Sequence, residues 1–220
     1  MTDSRLTHIY FLLDRSGSMQ SIRSDTVGGF AAFVEEQRAA EGECRVTLAQ
    51  FDDTYEVVYA ARPVSEVPPL DLQPRGRTAL LDAMGRLVTE AGAGLAELPE
   101  EQRPGTVLVA VMTDGLENAS REWTHPAIRS LVEQQTRDYG WQFLYMGADQ
   151  DAVEVGRGLG VPAASSVTYA RGKAGDSLRM ASGKVADLRR ARQGDAGATF
   201  AAYSAAERAA LGEDEGEGGA

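Results

Sequence analysis

The sequence predicts an α/β fold: a doubly wound, mostly parallel six-stranded sheet with one antiparallel edge strand and helices on both faces. Three observations carry this. Short apolar runs rich in β-branched and aromatic residues alternate with helical periodicity from residue 7 to residue 169, the pattern of parallel strands joined by crossover helices. The runs at 9–13 and 107–112 are apolar almost without interruption, as central strands buried on both faces must be. Only Asp53 and its neighbours separate the runs at 44–52 and 54–60. That break is too short for a crossover, so the pair is an antiparallel hairpin with 54–60 on the sheet edge.

In chain order, strands are expected at 7–14, 44–52, 54–60, 106–113, 141–147 and 165–169. Between them, Ile22, Phe30, Phe33 and Val34 share one face of a helix over 21–40. Leu80, Leu81, Met84, Leu87, Val88 and Leu95 do so over 79–96, and Ile128, Leu131, Val132 and Tyr139 over 126–139. A short helix at 151–159 carries Val155 and Leu159. Residues 61–77 form a Pro-rich segment without periodicity, of a length that is usually functional or disordered. Beyond the strands, Leu178, Ala181, Val185 and Leu188 mark a helix over 176–192, with Arg179, Lys184, Arg189, Arg190 and Arg192 largely off that stripe. A last helix, roughly 198–211, buries Phe200, Tyr203 and Leu211. The expected organisation is a main domain over 1–170, a helical extension over 171–211 and a disordered acidic, Gly-rich tail over 212–220.

The 220 residues suffice for one α/β domain with extensions. Net charge is −11, all of it carried by residues 1–170; the stretch 171–193 is +5 and 194–220 is −5. The body is therefore a poor nucleic-acid ligand, and the cationic stretch can lie on the acidic body of its own chain. No apolar run is long enough to span a membrane. A lone cysteine, Cys44, excludes an intramolecular disulfide. With a polar N-terminal segment lacking a signal-peptide core, this points to the cytoplasm, and the compact build to a bacterial protein.

In an open α/β sheet, ligands bind at the carboxyl ends of the strands where strand order reverses. Three segments bring oxygen groups there. Asp14, Ser16 and Ser18 follow the first strand, in Asp14-Arg15-Ser16-Gly17-Ser18-Met19. Thr78 leaves the Pro-rich segment at the start of a helix. Asp114 ends the strand at 106–113, within Thr113-Asp114-Gly115. Taken alone, the first loop is equally an Asx-turn and helix cap. Together the five side chains offer only hard oxygens, which suit Mg²⁺ or Mn²⁺ in preference to Ca²⁺ or zinc.

This constellation resembles the metal-ion-dependent adhesion site of the von Willebrand factor A domain family, over roughly residues 5–170. The family's D-x-S-x-S triplet falls on Asp14, Ser16 and Ser18, its threonine on Thr78 and its T-D-G aspartate on Asp114. The resemblance implies a Rossmann-like sheet and a metal touched directly by Ser16, Ser18 and often Thr78, with Asp14 and Asp114 acting partly through water. It implies binding of another protein through an Asp or Glu that completes the coordination, with no catalysis. Gly17 is expected to allow the tight turn.

Neighbouring residues have weaker readings. Asp149 and Asp151 either line the same rim or cap the next helix, and capping is preferred. Asp52 and Asp53 are ordinary turn residues, and Asp82 faces solvent. Glu117 and Asn118 can shape partner specificity. Arg15, Met19, Arg75 and Arg77 can reach the rim and favour acidic partners, or simply be solvated. His8 and His125 are isolated, His125-Pro126 reads as a helix entry, and Cys44 as buried. Two other functions compete. One is a metal-dependent hydrolase or phosphotransferase with Asp14 as nucleophile; the acid/base aspartate usual two positions on is here Ser16. The other is self-regulation, with Glu213, Asp214, Glu215 or Glu217 reaching the site as an internal carboxylate.

Overall fold

A computed structural model describes residues 2–212. Six strands form one sheet in the order β3-β2-β1-β4-β5-β6. They are β1 (Asp3–Asp14), β2 (Glu43–Phe51), β3 (Tyr55–Pro63), β4 (Pro104–Thr113), β5 (Gln142–Ala148) and β6 (Ser166–Tyr169). All neighbours are parallel except the β2–β3 pair, which puts antiparallel β3 on the edge. Connections from β1 lead one way to β2 and β3, then back across to β4. The switch point therefore lies between β1 and β4, the two strands whose apolar runs are longest.

The pleat sends alternate residues of each strand to opposite faces. Ile9, Phe11 and Leu13 pack with Phe30 and Phe33 of α1 (Arg23–Ala39) and with Leu178, Ala181, Val185 and Leu188 of α5 (Ala174–Gly194). The Phe11 ring meets Phe30 and Phe33 edge-on at 5.2 and 5.6 Å, a favoured aromatic geometry. Tyr10 and Leu12 pack oppositely, against α2 (Leu80–Glu97) and α3 (His125–Tyr139). The short α4 (Ala152–Gly158) begins at Asp151, whose carboxylate caps Glu154 N–H at 2.9 Å, as expected. Pro126 sits in the first turn of α3, where its missing N–H costs nothing. Cys44 is buried, as read from the sequence.

Several expectations are corrected. Residues 61–63 continue β3, and the rest of the Pro-rich segment is pinned by buried Val67, Leu70 and Leu72 and by Gln50 Nε2 donating to Asp71 O at 2.7 Å. The helix expected over 198–211 shrinks to α6 (Ala205–Ala210), although Phe200, Tyr203 and Leu211 are buried. Tertiary hydrogen bonds hold the preceding backbone extended: Phe200 N–H donates to Gln142 Oε1 at 3.0 Å and Tyr203 N–H to Ala164 O at 3.2 Å. The cations of α5 do not simply lie on acidic side chains. Arg189 is buried and donates to Gln37 O, Glu41 O and Gly42 O, closing the carbonyl end of α1. Arg192 donates to Ala198 O and Gly140 O. The acidic tail, with Glu213, Asp214, Glu215 and Glu217, lies outside the described residues.

Candidate metal centre

The five residues predicted from sequence converge at the switch point. Asp14 closes β1 and is fully buried. Its Oδ1 accepts Ser16 N–H at 2.6 Å, folding the loop back over the strand end, and its Oδ2 accepts the Thr113 hydroxyl at 2.6 Å from the end of β4. Ser16 Oγ lies 3.1 Å from Ser18 Oγ. Ser18 Oγ donates to Asp114 Oδ1 at 2.6 Å, so one chain of oxygens links both sides of the crevice. Thr78 arrives from the loop before α2. A Cβ built on Gly115 would fall 3.0 Å from Thr78 Oγ1 and 3.6 Å from Ser18 Oγ. Both hydroxyls thus face the same small space beside the Thr113-Asp114-Gly115 turn, which a side chain at 115 would crowd.

Burial pushes the Asp14 carboxyl up to about 6; the Thr113 and Ser16 hydrogen bonds oppose the shift, and the Asp114 charge adds to it. Asp114 is raised too, first by burial, with Ser18 and the Arg171 charge pulling the other way. Asp114 Oδ2 is buried with no hydrogen-bond partner, an expensive arrangement for a carboxylate oxygen unless a cation satisfies it. Among the described residues no three His, Cys, Asp or Glu side chains cluster as a metal-binding group. The donors here are two carboxylates and three neutral hydroxyls, all oxygen. That set fits a hard divalent cation and does not fit zinc.

Residues around the site brace it, although the Arg75 and Arg77 side chains stay exposed as expected. Arg15 and Met19, expected at the rim, are buried. Arg15 Nε donates to Asp52 Oδ2 at 3.1 Å and its Nη1 to Glu56 Oε2 at 2.6 Å, while Arg15 N–H and O pair with Phe51 O and Arg75 N–H. Arg75 also reaches Asp52, at 2.8 Å, and Arg77 reaches Asp53 at 3.0 Å. Asp52 is thus no ordinary turn residue. Against the upward push of burial, Arg75, Thr54 and the Arg15 charge hold its carboxyl below the usual range. The glycine this loop needs is Gly76, at φ 68°, where a Cβ would sit 2.6 Å from Asp53 Oδ2. Gly17 has no left-handed φ and only approaches Gly76 O.

Two further expectations, on Asp82 and Asp149, give way. Asp82 does not face solvent alone: its carboxylate accepts Arg121, Glu122 and Trp123 N–H at 2.8–2.9 Å. Glu117 accepts Leu81, Ala119 and Ser120 N–H. Asn118 Oδ1 accepts Thr78 N–H at 3.1 Å, while its own N–H donates to Thr78 O at 3.0 Å. Glu117 and Asn118 therefore fasten the loop after β4 to the start of α2 and set Thr78 in place. Their sequence offers only one weak signal, a run of capping-type residues beside the Asp114 turn. Asp149 does not cap α4; at φ 46° it accepts Arg171 Nε at 2.7 Å.

Sheet order, antiparallel edge and loop placement define the von Willebrand factor A fold. Among solved structures, the chain is similar to the von Willebrand factor type A protein from Catenulispora acidiphila, with TM-score 0.54 and 14% identity over 81% of this chain and 42% of that one. It is similar also to proximal thread matrix protein 1 from the mussel byssus, with TM-score 0.54 and 14% identity over 80% and 46%. The von Willebrand factor domain of a type V pilus tip protein from Porphyromonas gingivalis gives TM-score 0.53 and 11% identity over 81% and 94%. The chain thus spans less than half the length of the first two. No protein-family model matches the chain, and no curated protein matches its sequence.

Proposed function

We propose that this chain is a metal-dependent protein-interaction module. Ser16, Ser18 and Thr78 would hold Mg²⁺ or Mn²⁺ directly, with Asp14 and Asp114 acting partly through water. When bound, the cation supplies an electrophilic position for an Asp or Glu of another protein. The chain's own residues do the rest. Thr113 and Ser16 N–H orient Asp14, Asn118 orients Thr78, and the Arg15–Asp52–Arg75 cluster fixes the loop that carries the serines. The observation that carries the reading is the convergence of oxygens from two strand ends and the loop before α2 on one space, one of them the unpartnered, buried Asp114 Oδ2. Neutral hydroxyls leave more of the cation's charge for a ligand than a cage of carboxylates does. Binding is favoured over turnover because the position of an acid/base aspartate, two residues after Asp14, holds Ser16, and a hydroxyl cannot take that role at neutral pH.

Partner capture on the immobilised full chain tests this. We expect retention of a partner in Mg²⁺, its release by chelator, and no retention by Ser16→Ala. Retention indifferent to chelator contradicts the proposal, as does robust Mg²⁺-dependent hydrolysis of generic phosphate esters that Asp14→Asn abolishes.

A further inference from the structure

A second cavity, of about 320 Å³, opens between α2 and the face of β1, β2 and β3, towards the amino end of β1 and away from the candidate metal centre. It is near the lower bound of small-molecule sites. Its walls are apolar and come from both layers: Leu6, Tyr10 and Val57 from the sheet, Leu87, Ala91 and Leu95 from α2. A bulge keeps it open. Between Tyr59, paired with Leu48, and Arg62, paired with Val46, β3 spends Ala60 and Ala61 opposite the single Thr47. Ala61 stands at φ 47°, a cost for a residue with a Cβ, and its N–H is held by Thr47 Oγ1 at 2.9 Å.

Two polar groups, the His8 ring and the Arg45 guanidinium, reach this apolar space. His8 lies in the floor, stacked on Tyr10 at 4.0 Å, with Nε2 2.9 Å from Thr47 Oγ1. Thr47 Oγ1 also accepts Ala61 N–H, and His8 Nδ1 bonds nothing among the described residues. Burial lowers His8 to about 4, so the ring is neutral at physiological pH. Arg45, opposite His8 in the β1–β2 register, lines the same cavity and its guanidinium has no hydrogen bond or ion pair among the described residues. The acidic group nearby, Glu90, is engaged by Arg86 at 2.9 Å. An apolar chamber lined by an exposed cation that no carboxylate of the described residues engages, beside a neutral imidazole, complements an acid with an apolar body. We infer that this cavity binds a small apolar carboxylic acid, its tail between α2 and the sheet and its carboxylate on Arg45, beside the His8 ring.

Titration calorimetry of the full chain with decanoate, below its micelle concentration and with chelator present to silence the metal centre, tests the inference. The expected result is one saturable site, with decanol at least tenfold weaker. Arg45→Gln should weaken decanoate about tenfold and leave decanol unchanged. Val57→Glu, a change at an exposed wall position, should abolish both while circular dichroism stays native. No saturable decanoate binding overturns the inference, as does equal affinity for decanol or binding that neither substitution alters. Sedimentation of the same samples covers the rival occupant: a dimer formed along the β3 edge that excludes decanoate also overturns it.

Discussion

Burial raises the Asp14 carboxyl from 3.8 to about 6, and the Asp114 charge adds to the shift. The sign of its effect on stability follows. Between pH 4 and 6 the folded protein keeps the Asp14 proton that the unfolded chain releases. Its contribution is complete below pH 4 and is lost as pH rises through about 6, a change on the order of 2–3 kcal/mol. A dication binds the deprotonated form and reverses this. We therefore expect the stabilisation by Mg²⁺, read as a rise in melting temperature, to be small at pH 5 and large at pH 7.5, where it reaches about 2.7 kcal/mol at a hundredfold excess over the dissociation constant. Asp14→Asn should flatten both responses; an equal Mg²⁺ effect at the two pH values contradicts the account. At this scale the sequence is legible where chemistry is contiguous. Asp14, Ser16 and Ser18 announce themselves by spacing and Asp114 by its turn. Asn118, Glu117 and Asp82 do not, because each acts on backbone N–H groups 36 to 41 residues away, and nothing local distinguishes such a side chain from a solvated one.

Among the elements, strands and long helices follow from their apolar periodicity, and the hairpin edge from the short break at Asp53. The closeness of α1 and α5 does not. A Cβ on Gly29 would stand 2.7 Å from Gly175 Cα, so the two backbones meet where neither has a side chain. Gly175 N–H donates to Asp25 Oδ2 there at 2.9 Å, and further along Gln37 Nε2 bonds Ser182. Gly29→Ala, helix-favouring by propensity, is predicted to destabilise the protein by about 1–3 kcal/mol through overpacking. Denaturant midpoints measure this; a more stable Gly29→Ala protein would mean the helices are free to part. The shortened last helix has the same kind of cause. An Ala-rich segment with a helical stripe is held extended by Gln142 and Ala164, partners no local pattern reveals.

For the whole molecule, topology gathers chemistry that the chain keeps far apart. The return from β3 through α2 to β4 sets Asp14 beside Thr113 and Asp114, 99 and 100 positions later. The doubly wound order was legible because it follows from strand type and connection length, and it is what made a single centre from three loops predictable. The cavity beneath α2 was not legible, since it depends on a bulge and on which guanidinium the fold leaves unpaired. The central claim is that the convergent oxygens hold one divalent cation. Isothermal titration of Mg²⁺ and Mn²⁺ into the intact chain tests it most directly. One site is predicted, lost in Ser16→Ala and in Asp114→Ala while both variants keep the native circular dichroism. No binding to the intact chain, or unchanged binding in both variants, would contradict it.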